Sequence, residues 1–146
     1  YGIGRFEEAY EITNTISSIE INNSENFANK ARVQGKLGNS KKELDYWLQA
    51  SKIDNNFFVE YALATWEYSE NYEETIKIFE QTKNENKRAN YYFKLGYVQH
   101  DAGYYTDDLD MLNKAINNFE RHLKIKPILI LKLLKDNEKP NSSTMG

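Results

Sequence analysis

The sequence predicts an all-α protein built as a solenoid of antiparallel helix pairs. A turn residue, an aromatic residue, an acidic helix start and an apolar helical face recur at intervals of roughly 32 to 34 residues, which is typical of helix-pair repeats. Within each interval the apolar residues lie three and four positions apart, as on one side of an α-helix. Only two prolines occur, Pro127 and Pro140, and both lie outside the interiors of the predicted helices. Prolines placed there leave the helical hydrogen bonds intact.

Apolar spacing and turn residues divide the chain into successive predicted helices. In order, they cover residues 5–19, 25–37, 40–53, 56–69, 72–84, 88–101, 105–125 and 127–135. Helix starts are predicted at Asn39-Ser40, Asn71 and Thr106, because their side-chain oxygens can accept hydrogen bonds from free backbone N–H groups. The turns between these helices are all predicted to be short.

The predicted helix over residues 105–125 is longer than its neighbours. Between Gly96 and Ala115 the chain carries seven residues more than the equivalent interval of the other repeats, which is about two helical turns. Asp107, Asp108 and Asp110 are predicted in its first turn, where carboxylates interact favourably with the helix dipole. Its apolar stripe is predicted to contain Leu109, Leu112, Ile116, Phe119 and Leu123.

The last repeat carries the clearest motif. Its first helix has an aromatic residue followed by Leu-Gly, and its second helix has a small residue, an aromatic residue and a proline. The residues are Tyr92, Leu95, Gly96, Ala115, Phe119 and Pro127. With these residues the chain resembles the tetratricopeptide repeat family, and the middle repeats are more degenerate. The resemblance covers residues 1–127 and implies a right-handed solenoid that serves for binding rather than for chemistry.

The repeat positions predict the organisation of the whole chain. A half repeat covers residues 1–22, complete repeats cover about 24–55, 56–87 and 88–127, and a further or capping helix covers 128–135. Residues 136–146 have no apolar face and are predicted to form a disordered tail. A half repeat at one end and an apolar segment at the other indicate a fragment of a longer protein.

Side chains of the first helix in each pair line a concave surface in tetratricopeptide arrays, and the resemblance assigns such a surface here. The predicted partner-binding residues are Arg32, Lys36, Glu60, Glu67, Tyr68, Phe93, Tyr97 and His100. The aromatic rings would supply contact area, and Arg32 would supply a directional contact to a carboxylate. A solvated inner face is the alternative for any one of them. The predicted ligand is an extended or helical peptide, or a protein.

Two further apolar sets are assigned by their positions. Trp47, Phe79 and Phe119 fall in one packing column of the repeat and are predicted to lie in the core. The second set is an apolar strip that is predicted to be an assembly surface through which copies of the chain associate, because exposed apolar surface of this kind seeks a partner. This strip contains Ile128, Leu129, Leu131 and Leu134.

Composition and motifs argue against several function classes. A net charge of −3 and a pI near 5.5 disfavour a nucleic-acid partner, which would need a basic face. No cysteine occurs, and His100 and His122 do not have the spacing of zinc ligands. Neither a phosphate-binding loop nor a nucleotide fingerprint is present. The sequence therefore predicts no metal, no cofactor and no catalytic residue.

The predicted location is the cytoplasm. No stretch of the sequence approaches the roughly eighteen apolar residues that a membrane span requires, and the lack of cysteine is consistent with a reducing compartment. The leading functional hypothesis is a non-catalytic protein-interaction scaffold. The alternative is a helical repeat segment of a larger bacterial glycosyltransferase or polysaccharide-assembly enzyme, because abundant aromatic and asparagine side chains suit contacts to sugars.

Overall fold

The computed structural model describes residues 2–127 together with Leu134 and Asp136, and every secondary-structure element in this part is helical. The predicted all-α class is therefore confirmed. The α-helices are α1 (Gly2–Lys36), α2 (Ser40–Ile53), α3 (Phe58–Ser69), α4 (Tyr72–Glu80), α5 (Ala89–Thr106) and α6 (Leu109–Ile125). Short 3₁₀ turns at Asn55–Phe57 and Asn84–Asn86 precede α3 and α5.

The chain divides into two compact units, residues 1–83 and residues 84–146. The N-terminal unit contains α1 to α4, and each of these helices packs against the next one along the chain. The C-terminal unit contains α5 and α6, which pack against each other.

The first helix is continuous over 35 residues, so the predicted interruption between residues 19 and 25 is wrong. Asn22, Asn23 and Ser24 are weak helix formers, but each costs less than about 1 kcal/mol relative to alanine and none is a breaker such as proline. The helix ends instead at Lys36, and Gly38 in the following turn has a left-handed φ of 79°. The Asn39 N–H then donates to the Gln34 carbonyl at 2.9 Å, which is a standard helix-terminating hydrogen bond.

The core of the N-terminal unit combines large aromatic rings with alanines. The Trp47 and Phe57 ring centroids lie 5.9 Å apart, and the alanines Ala28, Ala31 and Ala50 beside them have no exposed surface. Because alanine has only a methyl group, α1 and α2 approach closely enough to enclose the indole ring. The core prediction for Trp47 is confirmed.

One amide side chain links the 3₁₀ turn before α3 to the segment that follows α4. Asn55 donates from Nδ2 to the Gln81 carbonyl at 2.9 Å, and its Oδ1 accepts from the Lys83 N–H at 2.7 Å. Phe79, on α4, is 1% exposed, as its predicted core position requires. Since α4 ends at Glu80, it is shorter than the predicted helix over residues 72–84.

Helix starts follow the predictions at two of three positions. The Asn71 side chain accepts a hydrogen bond from the Glu74 N–H at 3.1 Å, as predicted. Asn39 is the N-cap residue of α2, which begins at Ser40 as predicted, but its side chain donates to the Gln34 side chain and does not cap the helix. The prediction for Thr106 is wrong, because Thr106 is the last residue of α5. The seven-residue excess therefore lies partly in α5, and Asp108 caps α6 by accepting from the Met111 N–H at 3.1 Å.

Candidate interaction face on the last helix pair

The close approach of α5 and α6 depends on glycines. A Cβ atom placed on Gly96 would lie 2.9 Å from the Phe119 ring, and one on Gly103 would lie 3.1 Å from the Leu112 side chain. Ala115 is also buried at this contact. Because small residues occupy much of the interface, many of the larger apolar side chains of both helices are left at its edges.

Polar contacts fix the direction of the pair. Asn118 donates to the Gln99 side chain at 2.7 Å, and His122 Nδ1 lies 2.9 Å from the Ala89 carbonyl oxygen. Residues early in α5 thus meet residues late in α6, so the two helices are antiparallel. The backbone of α5 at Ala89 is anchored to α6 by this histidine.

An aromatic row runs along one side of α5. Its members follow the 4,3,4 spacing of a single helical stripe, and at 1.5 Å per residue the row is about 16 Å long. Phe93 packs against α6, with its ring 6.0 Å from that of Phe119 and 5.2 Å from that of His122. The His100 and Tyr104 rings stack at 6.5 Å. The row consists of Phe93, Tyr97, His100 and Tyr104.

An apolar row runs along α6 on the same side of the pair. Successive members of this row, Leu109, Ile116 and Leu123, are seven residues apart, and they lie about 40° to 80° from the contacting residue Phe119 on the helix circumference. Because Phe119 meets Phe93, this row and the aromatic row of α5 border each other. Together the two rows form what we call the α5–α6 face. Apart from His100, the side chains of this face are each between 44% and 70% exposed.

The predicted partner-binding residues are distributed over both units. Phe93, Tyr97 and His100 come together on the α5–α6 face. The other five lie in the N-terminal unit, on α1 and α3: Arg32, Lys36, Glu60, Glu67 and Tyr68. Whether these two groups form one binding surface stays a prediction.

Within the N-terminal unit, the predicted residues have partners of their own. The Arg32 guanidinium donates to Asn29 at 2.9 Å and lies 5.5 Å from the centre of the Trp47 ring. Exposed Tyr68 has the Lys41 ammonium 5.8 Å from its ring centre. Lys36 is in the last turn of α1, where a positive charge interacts favourably with the helix dipole. These contacts give each side chain a structural role as well as the predicted binding role.

Of the predicted assembly strip, Leu134 is helical and exposed. Ile128, Leu129 and Leu131 lie outside the described residues, as do residues 137–146 of the predicted tail. Asp136, the first residue of that tail, is helical. The prediction of an assembly surface at this end stays a prediction.

Two features of the C-terminal unit were missed by the sequence reasoning. Tyr104 extends the aromatic row by one turn, and extending the spacing of Phe93, Tyr97 and His100 by four residues would have found it. The second feature is an open depression of about 250 Å³ lined by Tyr92, Arg121, Lys124 and Ile125. The Arg121 guanidinium lies 5.5 Å from the Tyr92 ring centre there, a contact between helices that sequence spacing does not reveal.

Among the described residues, Tyr61 has a shifted pKa. Burial, together with the negative charges of Glu74 and Asp45, raises the pKa of Tyr61 above its ordinary value of 10.0, and Lys41 opposes this shift. Across residues 2–127, no group of three or more His, Asp or Glu side chains is arranged to hold a metal ion. In the same part of the chain, no helix combines the length and the hydropathy of a membrane span.

Comparison with protein-family models found no match, and comparisons with curated proteins and with solved structures found none either. The resemblance to tetratricopeptide repeats therefore remains an interpretation of the sequence motifs.

Proposed function

We propose that this chain is a non-catalytic protein-interaction module that binds an apolar, helical segment of a partner protein on the α5–α6 face. The observation that carries the proposal is the pair of exposed rows on that face, one aromatic and one aliphatic. Contiguous exposed apolar surface is costly in water and typically marks an interaction site. Aromatic side chains are also enriched among the residues that dominate binding energy.

The shape of the face favours a helical ligand. Two parallel rows about 16 to 21 Å long match three to four turns of an α-helix, and the packed Phe119 and Leu112 side chains would form the floor between them. A partner helix with apolar residues at positions i, i+3, i+4 and i+7 would place one side chain into this floor on each turn. Tyr97 and Tyr104 can keep their hydroxyl groups at the solvated edge while their rings are covered.

The proposal covers the C-terminal part of the predicted concave site. The predicted partner-binding residues of the N-terminal unit stay predictions: Arg32, Lys36, Glu60, Glu67 and Tyr68. The alternative of a glycan-positioning segment in a larger enzyme stays a prediction.

The test is a selection of binding peptides from a displayed random-peptide library, with the full chain as bait. Selected peptides are then titrated against Tyr97→Ser and Ile116→Ser, which lie on different rows of the face. Each substitution is expected to weaken binding at least about tenfold, equivalent to about 1.4 kcal/mol. Both positions are half exposed, so the fold should be retained, and far-UV circular dichroism checks this.

Matched controls separate the face from the rest of the chain. Tyr10→Ser removes an exposed tyrosine from the N-terminal unit, and Lys124→Ser alters the open depression; neither should change affinity for peptides that bind the α5–α6 face. Selection of peptides whose affinity is insensitive to Tyr97→Ser and Ile116→Ser would contradict the proposed site. Failure to select any peptide would contradict the proposed peptide-binding function.

A further inference from the structure

The open depression of the C-terminal unit lies on a different side of the helix pair from the α5–α6 face. It is lined by Tyr92 of α5 and by Arg121, Lys124 and Ile125 of α6, and its volume is about 250 Å³. Measured around α6 from Phe119, Ile125 and Arg121 lie about 120° and 160° away, in the opposite sense from the apolar row. The depression is therefore separate from the proposed peptide site.

Two positive charges of the depression have no carboxylate partner. Among the described residues, the side chains of Arg121 and Lys124 form neither a hydrogen bond nor an ion pair, although Glu120 lies one turn before Lys124. The Arg121 guanidinium lies 5.5 Å from the Tyr92 ring centre, a contact that uses none of its N–H donors. Both side chains are exposed, so both charges are available to an anion.

The end of α6 accounts for only one of these two charges. Lys124 is in the last turn of α6, where a positive charge interacts favourably with the helix dipole. Arg121 lies before that turn, and the effect of the dipole is confined to the turn at the helix end. In a chain whose net charge is −3, two neighbouring cations without a counter-charge form a local positive patch that attracts anions.

We propose that the depression binds a small organic phosphate monoester, with the phosphate held by Arg121 and Lys124 and the organic group placed against Tyr92 and Ile125. A phosphate monoester carries a charge of about −1.5 to −2 near pH 7. It therefore neutralises both cations, whereas a carboxylate neutralises one. The N–H fork of arginine binds phosphate oxygens in pairs, and lysine binds phosphate as a point charge.

The walls of the depression determine the size and character of the organic group. Ile125 is half exposed and Tyr92 is partly exposed, so both offer apolar surface that a ligand would remove from water. The volume is below the roughly 300–1,000 Å³ of sites for drug-sized ligands, which suits a phosphate that carries about one ring. This site is independent of the proposed peptide-binding function, because it uses no residue of the α5–α6 face.

The experiment is a titration of the full chain with phenyl phosphate, followed by amide chemical shifts in NMR spectra at a pH above the second phosphate pKa of about 6. We expect saturable shifts around Tyr92 and Arg121. Arg121→Gln and Lys124→Gln should each raise the dissociation constant at least about tenfold, because each removes a charge-assisted contact. Lys114→Gln is the matched control: exposed Lys114 lies about 10 Å along α6 from Arg121, so its removal should leave the affinity unchanged.

Two comparison ligands test the charge and the source of the phosphate. Benzenesulfonate has the same ring with a single negative charge and should bind more weakly than phenyl phosphate; equal binding of the two would overturn the assignment of a phosphate. N-acetyl-phosphotyrosine amide carries the same group on a peptide unit, and its tighter binding would overturn the assignment of a small molecule. Absence of saturable binding, or binding that survives both glutamine substitutions, would overturn the site.

Two substitutions on the α5–α6 face separate this site from the proposed function. Tyr97→Ser and Ile116→Ser should weaken peptide binding but leave the affinity for phenyl phosphate unchanged. Loss of phenyl phosphate binding in these variants, with the far-UV circular dichroism spectrum retained, would overturn the independence of the two sites.

Discussion

The two units of this protein place their phenylalanine and tryptophan side chains differently. The N-terminal unit buries Trp47, Phe57, Trp66 and Phe79 in its interior, so its aromatic residues stabilise its own fold. The C-terminal unit closes its helix pair largely over small residues such as Gly96, and its exposed rows lie beside that contact. Aromatic content alone therefore does not locate a binding site. Aromatic rings stay exposed where smaller residues already fill the contact between two helices.

A core truncation in each unit should show this difference most strongly. Phe79→Ala should lower the free energy of unfolding of the N-terminal unit by about 3–5 kcal/mol, because it removes a fully packed ring and leaves a cavity. Phe93→Ala in the C-terminal unit should cost about 0.5–1.5 kcal/mol, since it mainly loses the ring contacts with Phe119 and His122. Denaturant unfolding followed by circular dichroism measures both, and equal losses would contradict the comparison.

Replacing a glycine with a larger residue should destabilise the C-terminal unit more than the N-terminal unit. Gly96→Val is expected to cost about 1–3 kcal/mol, because its added methyl groups meet the Phe119 ring and the Ala115 carbonyl in a contact with little room. The same change at Gly35 meets the carboxylate of Glu43, a flexible side chain that can rotate away. Gly35→Val should therefore be nearly neutral in the same unfolding measurement. A neutral Gly96→Val would show that the helix pair can separate without loss.

Helix capping provides a matched pair of smaller effects. Asn71 and Asp108 cap α4 and α6 with hydrogen bonds of the same length, 3.1 Å. Replacing either one with alanine should cost about 1 kcal/mol, because one backbone N–H loses its partner. The two losses should agree within about 0.5 kcal/mol in chemical denaturation. A much smaller loss at Asp108 would indicate that the start of α6 frays in solution.

The smallest effect is confined to alkaline pH and to the N-terminal unit. Because the pKa of Tyr61 is raised above 10.0 in the folded state, folding favours the protonated phenol. The resulting stabilisation is present below pH 10.0 and is lost as the pH rises through the folded-state pKa. Tyr61→Phe should reduce this alkaline loss, as measured by unfolding followed with tryptophan fluorescence, while Tyr68→Phe should leave it as in the parent chain. An identical alkaline loss in both variants would contradict the assignment.

Much of the secondary structure could be predicted from local sequence. The bounds of α2 match the prediction, and Asn71 caps α4 as its side chain allows. The prediction was wrong where local signals were weak: residues 20–24 looked like a turn, yet polar residues without glycine or proline do not end a helix by themselves. The boundary between α5 and α6 was also predicted at the wrong residues. Thr106 and Asp108 are both plausible N-cap residues, and only the backbone geometry distinguishes them.

The candidate site was predictable in part. The spacing of Phe93, Tyr97 and His100 placed these residues on one side of a helix, and the structure agrees. The apolar row of α6 was also recognised as a stripe, but periodicity alone could not say whether Leu109, Ile116 and Leu123 face a core or solvent. A hydrophobic stripe has the same spacing in either case.

By itself, the sequence determined the helical class, most helix positions and the residues that share a helical side, because these depend on interactions within a few residues. Only the tertiary structure decided which of those sides are covered. Burial depends on the distance between helices, and here Gly96, Gly103 and Ala115 set that distance through contacts far apart in the chain. The exposed α5–α6 face follows from packing between helices, which local periodicity cannot specify.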